Sequence, residues 1–245
     1  MRDVAGHLLD GDLRTLAAHR DGHALASDEP VASYADVVAL IQRLNAGGVA
    51  FAQRLSPRLL TDLLAVTGGW MSDFVASLDP DAPALFAVAW AGETRSDNRF
   101  DTAREYTERW HHQMQIRAAV GDRGRAAVLL AHRYLGPLLA TAVRVLPHAY
   151  RAVDAPDGTA VVLRVAEAES PLASPLAWTL RRDDGRWRLH EGEAAHPAAR
   201  VDGPPDALWR LLFNAPPPDR APDALQASGP AALLAPLWAA RSVMV

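Results

Sequence analysis

The chain contains no cysteine. Disulfides, thiolate metal ligands and a cysteine nucleophile are therefore excluded, and any thiol chemistry needs a thiol that arrives as substrate. It contains no lysine either: all 25 basic residues are arginine. With abundant Ala, Leu, Pro and Asp, that usage points to a high-GC genome rather than to a chemistry. Net charge is −4, so no overall basic field exists to recruit nucleic acid. No run reaches 18 uninterrupted apolar residues, so no membrane-spanning helix is expected. Asp3, Asp10 and Asp12 interrupt any apolar stretch near the start that could serve as a signal peptide, and the expectation is a soluble, cytoplasmic protein. Several motifs are missing too. There is no phosphate loop of either glycine pattern and no G-x-S-x-G elbow.

What is present is a 49% hydrophobic composition over 245 residues, enough for one large or two small domains. The first ~150 residues carry helical periodicity. Val4, Leu8, Leu9, Leu13 and Leu16 form one stripe of a helix from Val4 to Arg20. Ser33 is an N-cap candidate for a helix from Tyr34 to about Arg54, and Ser56-Pro57 opens another that runs to about Leu78. Ala84 to Asn98 reads as irregular. Asp101 is the expected cap of a helix closed by Gly121, and a last helix is expected over Arg125 to Leu146.

At Pro147 the period changes. Thr159 to Val165 is β-branched and apolar. Leu176 to Arg182 and Arg186 to His190, joined by Asp183-Asp-Gly185, read as a hairpin. Ala199 to Val201 is a short strand candidate. Asp206 to Asn214 and Ala231 to Arg241 read as helices, with an extended linker from Ala215 to Pro222 between them. The expected class is α+β: a helical domain over residues 1–147 and a small α+β domain over 158–245.

The chemistry concentrates in Arg104-Glu-Tyr-Thr-Glu-Arg-Trp-His-His-Gln-Met-Gln-Ile-Arg117. Glu108 and His112 stand four apart, on one helical face about one turn from each other. Surface helices often carry such a pair with no ligand at all. As part of a metal site the pair needs a third donor, and the candidate is His7. Two histidines and one glutamate leave a coordination position open, which is the arrangement of catalytic rather than structural zinc. Asp10, Asp12 and Glu105 are candidates to stand behind these ligands. His111 points roughly 100° away from His112 but lies three from Glu108. His19 and His23 also stand four apart, yet Gly22 between them breaks a shared face. His132, His148, His190 and His196 have no partner at ligand spacing. Arg95 and Arg99, in the loop before the ligand helix, are candidates to clamp a substrate carboxylate. Trp and Arg interleave in the hairpin, but Asp183, Asp184, Glu191 and Glu193 around them argue for a packed sheet face rather than a nucleic-acid surface.

Three segments together resemble a known family: Arg2-Asp-Val-Ala-Gly-His-Leu-Leu-Asp-Gly-Asp-Leu13, Arg20-Asp-Gly-His23 and Arg104 to Gln113. They are similar to the mycothiol-dependent maleylpyruvate isomerases, of the DinB-like superfamily of metal-binding four-helix bundles. Trp178-Thr-Leu-Arg-Arg182, Gly185 to Gly192 and Trp209-Arg-Leu-Leu212 resemble that family's small α/β C-terminal domain. The resemblance spans nearly the whole chain.

It implies that His7, Glu108 and His112 are the metal ligands and that the metal is divalent, usually zinc. It also implies mycothiol as thiol cofactor and an isomerase or thiol S-transferase acting on a small electrophile, with a metal-held thiolate as nucleophile. Isomerisation of maleylpyruvate itself is not implied. The alternative is a non-catalytic sensor that binds a metal or a small ligand. In the family the ligand histidine follows a complete first helix and a short loop. Here His7 is seven residues from the start, so the bundle is expected to lack that helix and to leave Leu8, Leu9 and Leu16 partly exposed. A start assigned too late is the preferred reading over a truncated relative.

Overall fold

The computed structural model describes residues 1–23, 30–166, 176–215 and 224–242. Most of the expected linker from Ala215 to Pro222 lies outside them. The chain is α+β: a helical N-terminal region, then a five-stranded mixed sheet with further helices. No single helix among the described residues is long and apolar enough to cross a membrane. The chain divides into two compact units within the helix Arg123–Leu129, at Ala126/Ala127, with residues 90–93 joining the second. The expected boundary region, 147–158, falls inside the second unit.

The first unit contains four long helices: α1 (Arg2–Thr15), α2 (Tyr34–Ala52), α3 (Pro57–Ser77) and α4 (Asn98–Val120). Their ends follow local chemistry. Ser33 and Asp36 form a reciprocal capping box at the start of α2. Ser56 caps α3, with Pro57 in its first turn. Asp97, not Asp101, caps α4: its carboxylate accepts from the Phe100 amide at 2.8 Å. Gly121 closes α4 in the left-handed conformation. Residues Leu16–Arg20 continue α1 as one π-helical turn.

α1 packs against α2, α3 and α4. Its approach to α2 needs glycine at two places. A Cβ on Gly6 would lie 2.5 Å from that of Ala52, and one on Gly48 would lie 2.2 Å from Asp10 Cγ. Leu9, Ala52 and Leu60 form the centre of this contact, with Ala5, Leu55, Leu63 and Leu64 around them. Burying one such leucine contributes about 2 kcal/mol.

His7 lies inside α1, within the helix expected from Val4 to Arg20. The exposure expected of the stripe through Leu8, Leu9 and Leu16 is corrected instead. Leu9 and Leu16 are buried because α2 and α3 cover that stripe. The apolar side chains that remain exposed are others, among them Leu13, Phe51, Leu59, Val66 and Trp70.

In place of one helix over Arg125–Leu146 the chain makes α5 (Arg123–Leu129), α6 (His132–Ala142), a 3-10 turn over Val143–Val145 and α7 (Leu146–Ala149). The turn at Leu130-Ala131 separates α5 from α6, and Pro137 inside α6 can donate no amide hydrogen.

The second unit carries β1 (Ala160–Val165), β2 (Ala177–Asp183), β3 (Arg186–Glu191), β4 (Ala199–Gly203) and β5 (Gln226–Ser228), in the order β3-β2-β1-β4-β5. Among the described strands only β1 and β4 pair in parallel. The β2–β3 hairpin turns at Asp184 and Gly185, both at positive φ, as the Asp-Gly signal requires. α8 (Pro205–Leu212) and α9 (Ala231–Ala239) complete the unit. Val161, Leu163, Val165, Trp178, Leu180 and Val201 line one face of the sheet and are buried. The opposite face buries Val162 and Thr179 and carries a polar cluster, with Arg164, Arg200 and Asp202 in ion pairs.

Candidate metal centre

Two helices far apart in sequence supply the site. α1 presents His7 from its second turn; α4 presents Glu108 and His112 from its middle, one turn apart. The donor atoms of the three side chains all lie within 4.8 Å of one another. Glu108 Oε1 is 2.7 Å from His7 Nε2 and 2.9 Å from His112 Nε2. The two imidazoles meet edge to face, with ring centroids 4.8 Å apart. Side-chain exposures of 20% for His7, 37% for Glu108 and 16% for His112 leave the cluster reachable from solvent.

His112 Nδ1–H donates to Gln115 Oε1 at 2.7 Å, and its Nε2 faces Glu108. Burial by itself lowers the His112 pKa, but the hydrogen bond and charge of Glu108, together with Gln115, raise it above the ordinary value. Burial by itself raises the Glu108 carboxyl. The hydrogen bonds and charges of His112 and His7 outweigh that and hold it well below the usual carboxylate range.

The donor set fits a divalent cation. Two imidazole nitrogens and one carboxylate oxygen, with no fourth donor in the cluster among the described residues, leave room for water or substrate. With Gln115 accepting from Nδ1–H, the lone pair of His112 is placed on Nε2, toward Glu108 and His7.

The groups expected behind the ligands are engaged elsewhere. Asp10 accepts from Arg14 at 2.7 Å, and Glu105 accepts from Arg104 at 2.7 Å. Asp12 accepts from Thr67 on α3 and forms an ion pair with Arg109 on α4. Gln115 holds the outer position on His112 instead, and its amide donates to His111 Nε2 at 2.8 Å. The sequence signal for Gln115 is its place three residues, one turn, after His112. His111 is tied into this chain of hydrogen bonds and is not one of the three gathered donors.

The remaining candidates separate. His19 sits on the π-helical turn with its ring against Phe74 and Phe86, at centroid distances of 6.5 and 5.2 Å. Burial lowers its pKa, and the charges of Asp101 and Glu105 only partly offset this. His23 is exposed beyond that turn. Arg99 is held by Asp81 at 2.5 Å, whereas Arg95 is exposed and has no ion pair with a described residue. Comparison of the chain with family models, curated proteins and solved structures returns no match.

Proposed function

We propose that the chain is a metal-dependent, thiol-using enzyme built on a DinB-like bundle and related to the mycothiol-dependent maleylpyruvate isomerases. It acts in the cytoplasm as an isomerase or thiol transferase on a small electrophile. The observation that carries this reading is the meeting of His7 with Glu108 and His112, donors from two helices with no other partner set of this kind among the described residues. His7 Nε2, His112 Nε2 and Glu108 Oε1 would hold the cation, and the nitrogen-rich set favours zinc over magnesium or calcium. Bound there, such a cation supplies a Lewis-acid position that favours the thiolate of an incoming thiol at neutral pH.

The chain's own residues then bind and orient. Gln115 fixes the tautomer of His112. Because there is no cysteine, the sulfur nucleophile comes with the cofactor, mycothiol. Arg95 is the loop arginine available to a substrate carboxylate, since Arg99 is occupied by Asp81.

The test is turnover of maleylpyruvate and a panel of conjugated electrophiles by the zinc-loaded protein, with and without mycothiol. Thiol-dependent turnover that is lost in His112→Ala supports the enzyme. Metal binding with no turnover of any electrophile replaces it with the sensor.

A further inference from the structure

Asp12 is 3% exposed, yet it takes no part in the ligand cluster. Its Oδ2 accepts from Thr67 Oγ1 on α3 at 2.8 Å, and its Oδ1 pairs with the Arg109 guanidinium on α4. One carboxylate therefore ties α1, α3 and α4 together. Stability is a poor explanation for it, because desolvating a carboxylate and a guanidinium offsets most of their attraction. Such a pair brings direction instead. An apolar contact tolerates sliding, whereas a carboxylate between a guanidinium and a hydroxyl allows one arrangement.

The place of this pair gives that direction a purpose. Arg109 follows Glu108 directly and is three residues before His112. Asp12 is five residues from His7, about 7.5 Å along α1. On both helices the pair thus stands roughly one turn from a ligand. α4 has few apolar anchors of its own: Phe100, Trp110 and Met114 are its buried apolar side chains. Its polar links to α1 are His7–Glu108 and Asp12–Arg109.

We propose that Asp12 is a positioning residue for the metal site, setting α4 on α1 through Arg109 so that His7, Glu108 and His112 are gathered before a divalent cation arrives. This rests on the metal reading of the cluster. Preorganisation of this kind acts on affinity, because ligands already in place need no ordering when the cation binds.

The experiment measures Zn2+ affinity by competition with a chromophoric chelator, and the visible spectrum of the Co2+ form, in the full chain. Asp12→Asn should weaken Zn2+ binding at least about tenfold and alter the Co2+ bands, as loss of an outer support does. Leu60→Ala, a cavity beside Leu9 that leaves the Asp12–Arg109 pair in place, should lower the melting temperature yet leave affinity within about threefold. Arg109→Lys keeps the charge and loses the forked geometry, so it should follow Asp12→Asn and serves if that variant does not fold. Wild-type affinity and spectrum in both strut variants would overturn the proposal, as would an equal loss of affinity in Leu60→Ala. Failure of the unaltered protein to bind Zn2+ or Co2+ at all would instead overturn the metal reading beneath it.

Discussion

Glu108 Oε1 and His7 Nε2 lie 2.7 Å apart although 101 residues separate them in the chain. A carboxylate shared by two imidazoles is a site in which protons and a cation compete for the same lone pairs. Three donors with an open fourth position have no spare ligand. The unaltered protein should therefore take up one equivalent of Zn2+, and His7→Ala, Glu108→Ala and His112→Ala should each lose it, by about 100-fold or more in affinity. Metal content after dialysis, measured by mass spectrometry, checks this. Full retention by any one of the three variants would remove that residue from the ligand set.

Gln115 gives a subtler case. Its Oε1 accepts the Nδ1 proton of His112, so Gln115→Leu frees the ring to turn and to change tautomer. Zn2+ affinity should fall about 10- to 100-fold, with little change in melting temperature because the residue is exposed. Gln115→Glu, which restores an acceptor at the same reach, should recover most of the affinity. Equal loss in both variants would show that the acceptor is not what matters.

How much of this was legible in the sequence depends on the range of the interaction. Ser33, Ser56, Gly121 and the Asp184-Gly185 turn act within a few residues of themselves, and the elements they bound lie where the pattern places them. Glu108 and His112 share a face by helix geometry alone. The stripe through Leu9 and Leu16 predicts burial, but what covers it, α2 and α3, is a tertiary matter. The destination of Asp12 was not legible. Proximity to His7 in sequence suggested an imidazole partner, while packing of three helices gave it Thr67 and Arg109. The break between α5 and α6 was missed because an apolar run carries no local stop signal there. The three-residue strand β5 is too short to show a period.

The close approach of α1 and α2 predicts a stability effect. The Cβ of Gly6→Ala would meet Ala52 Cβ at 2.5 Å, and neither short side chain can move aside. The helices must separate, at a cost of about 1–3 kcal/mol. Because His7 follows Gly6, metal affinity should fall with it. Gly68→Ala, where a Cβ meets nothing within 4 Å, should be neutral or slightly stabilising in α3. Urea unfolding of the two variants side by side decides, and equal midpoints would mean that the helices are not in tight contact.

In the second unit the sheet's polar cluster predicts a pH dependence. Asp202 accepts from Arg164 and from Arg200, the latter at 2.6 Å. Burial raises its pKa, but these hydrogen bonds and the two positive charges outweigh that and hold it below the ordinary value. A depressed folded-state pKa means that the unfolded chain binds the proton more readily. The stabilisation is therefore complete above the unfolded-state value, near pH 4, and is lost as pH falls through the lower folded-state value. Asp202→Asn should lower stability by about 1 kcal/mol at pH 7, an amount limited by solvent around the partly exposed Arg164. The difference between the two proteins should shrink below pH 4, as the wild-type carboxyl takes up its proton. Thermal unfolding at pH 7, 5 and 3 measures this. A gap that stays constant across the three would assign the loss to packing rather than to the charge of Asp202.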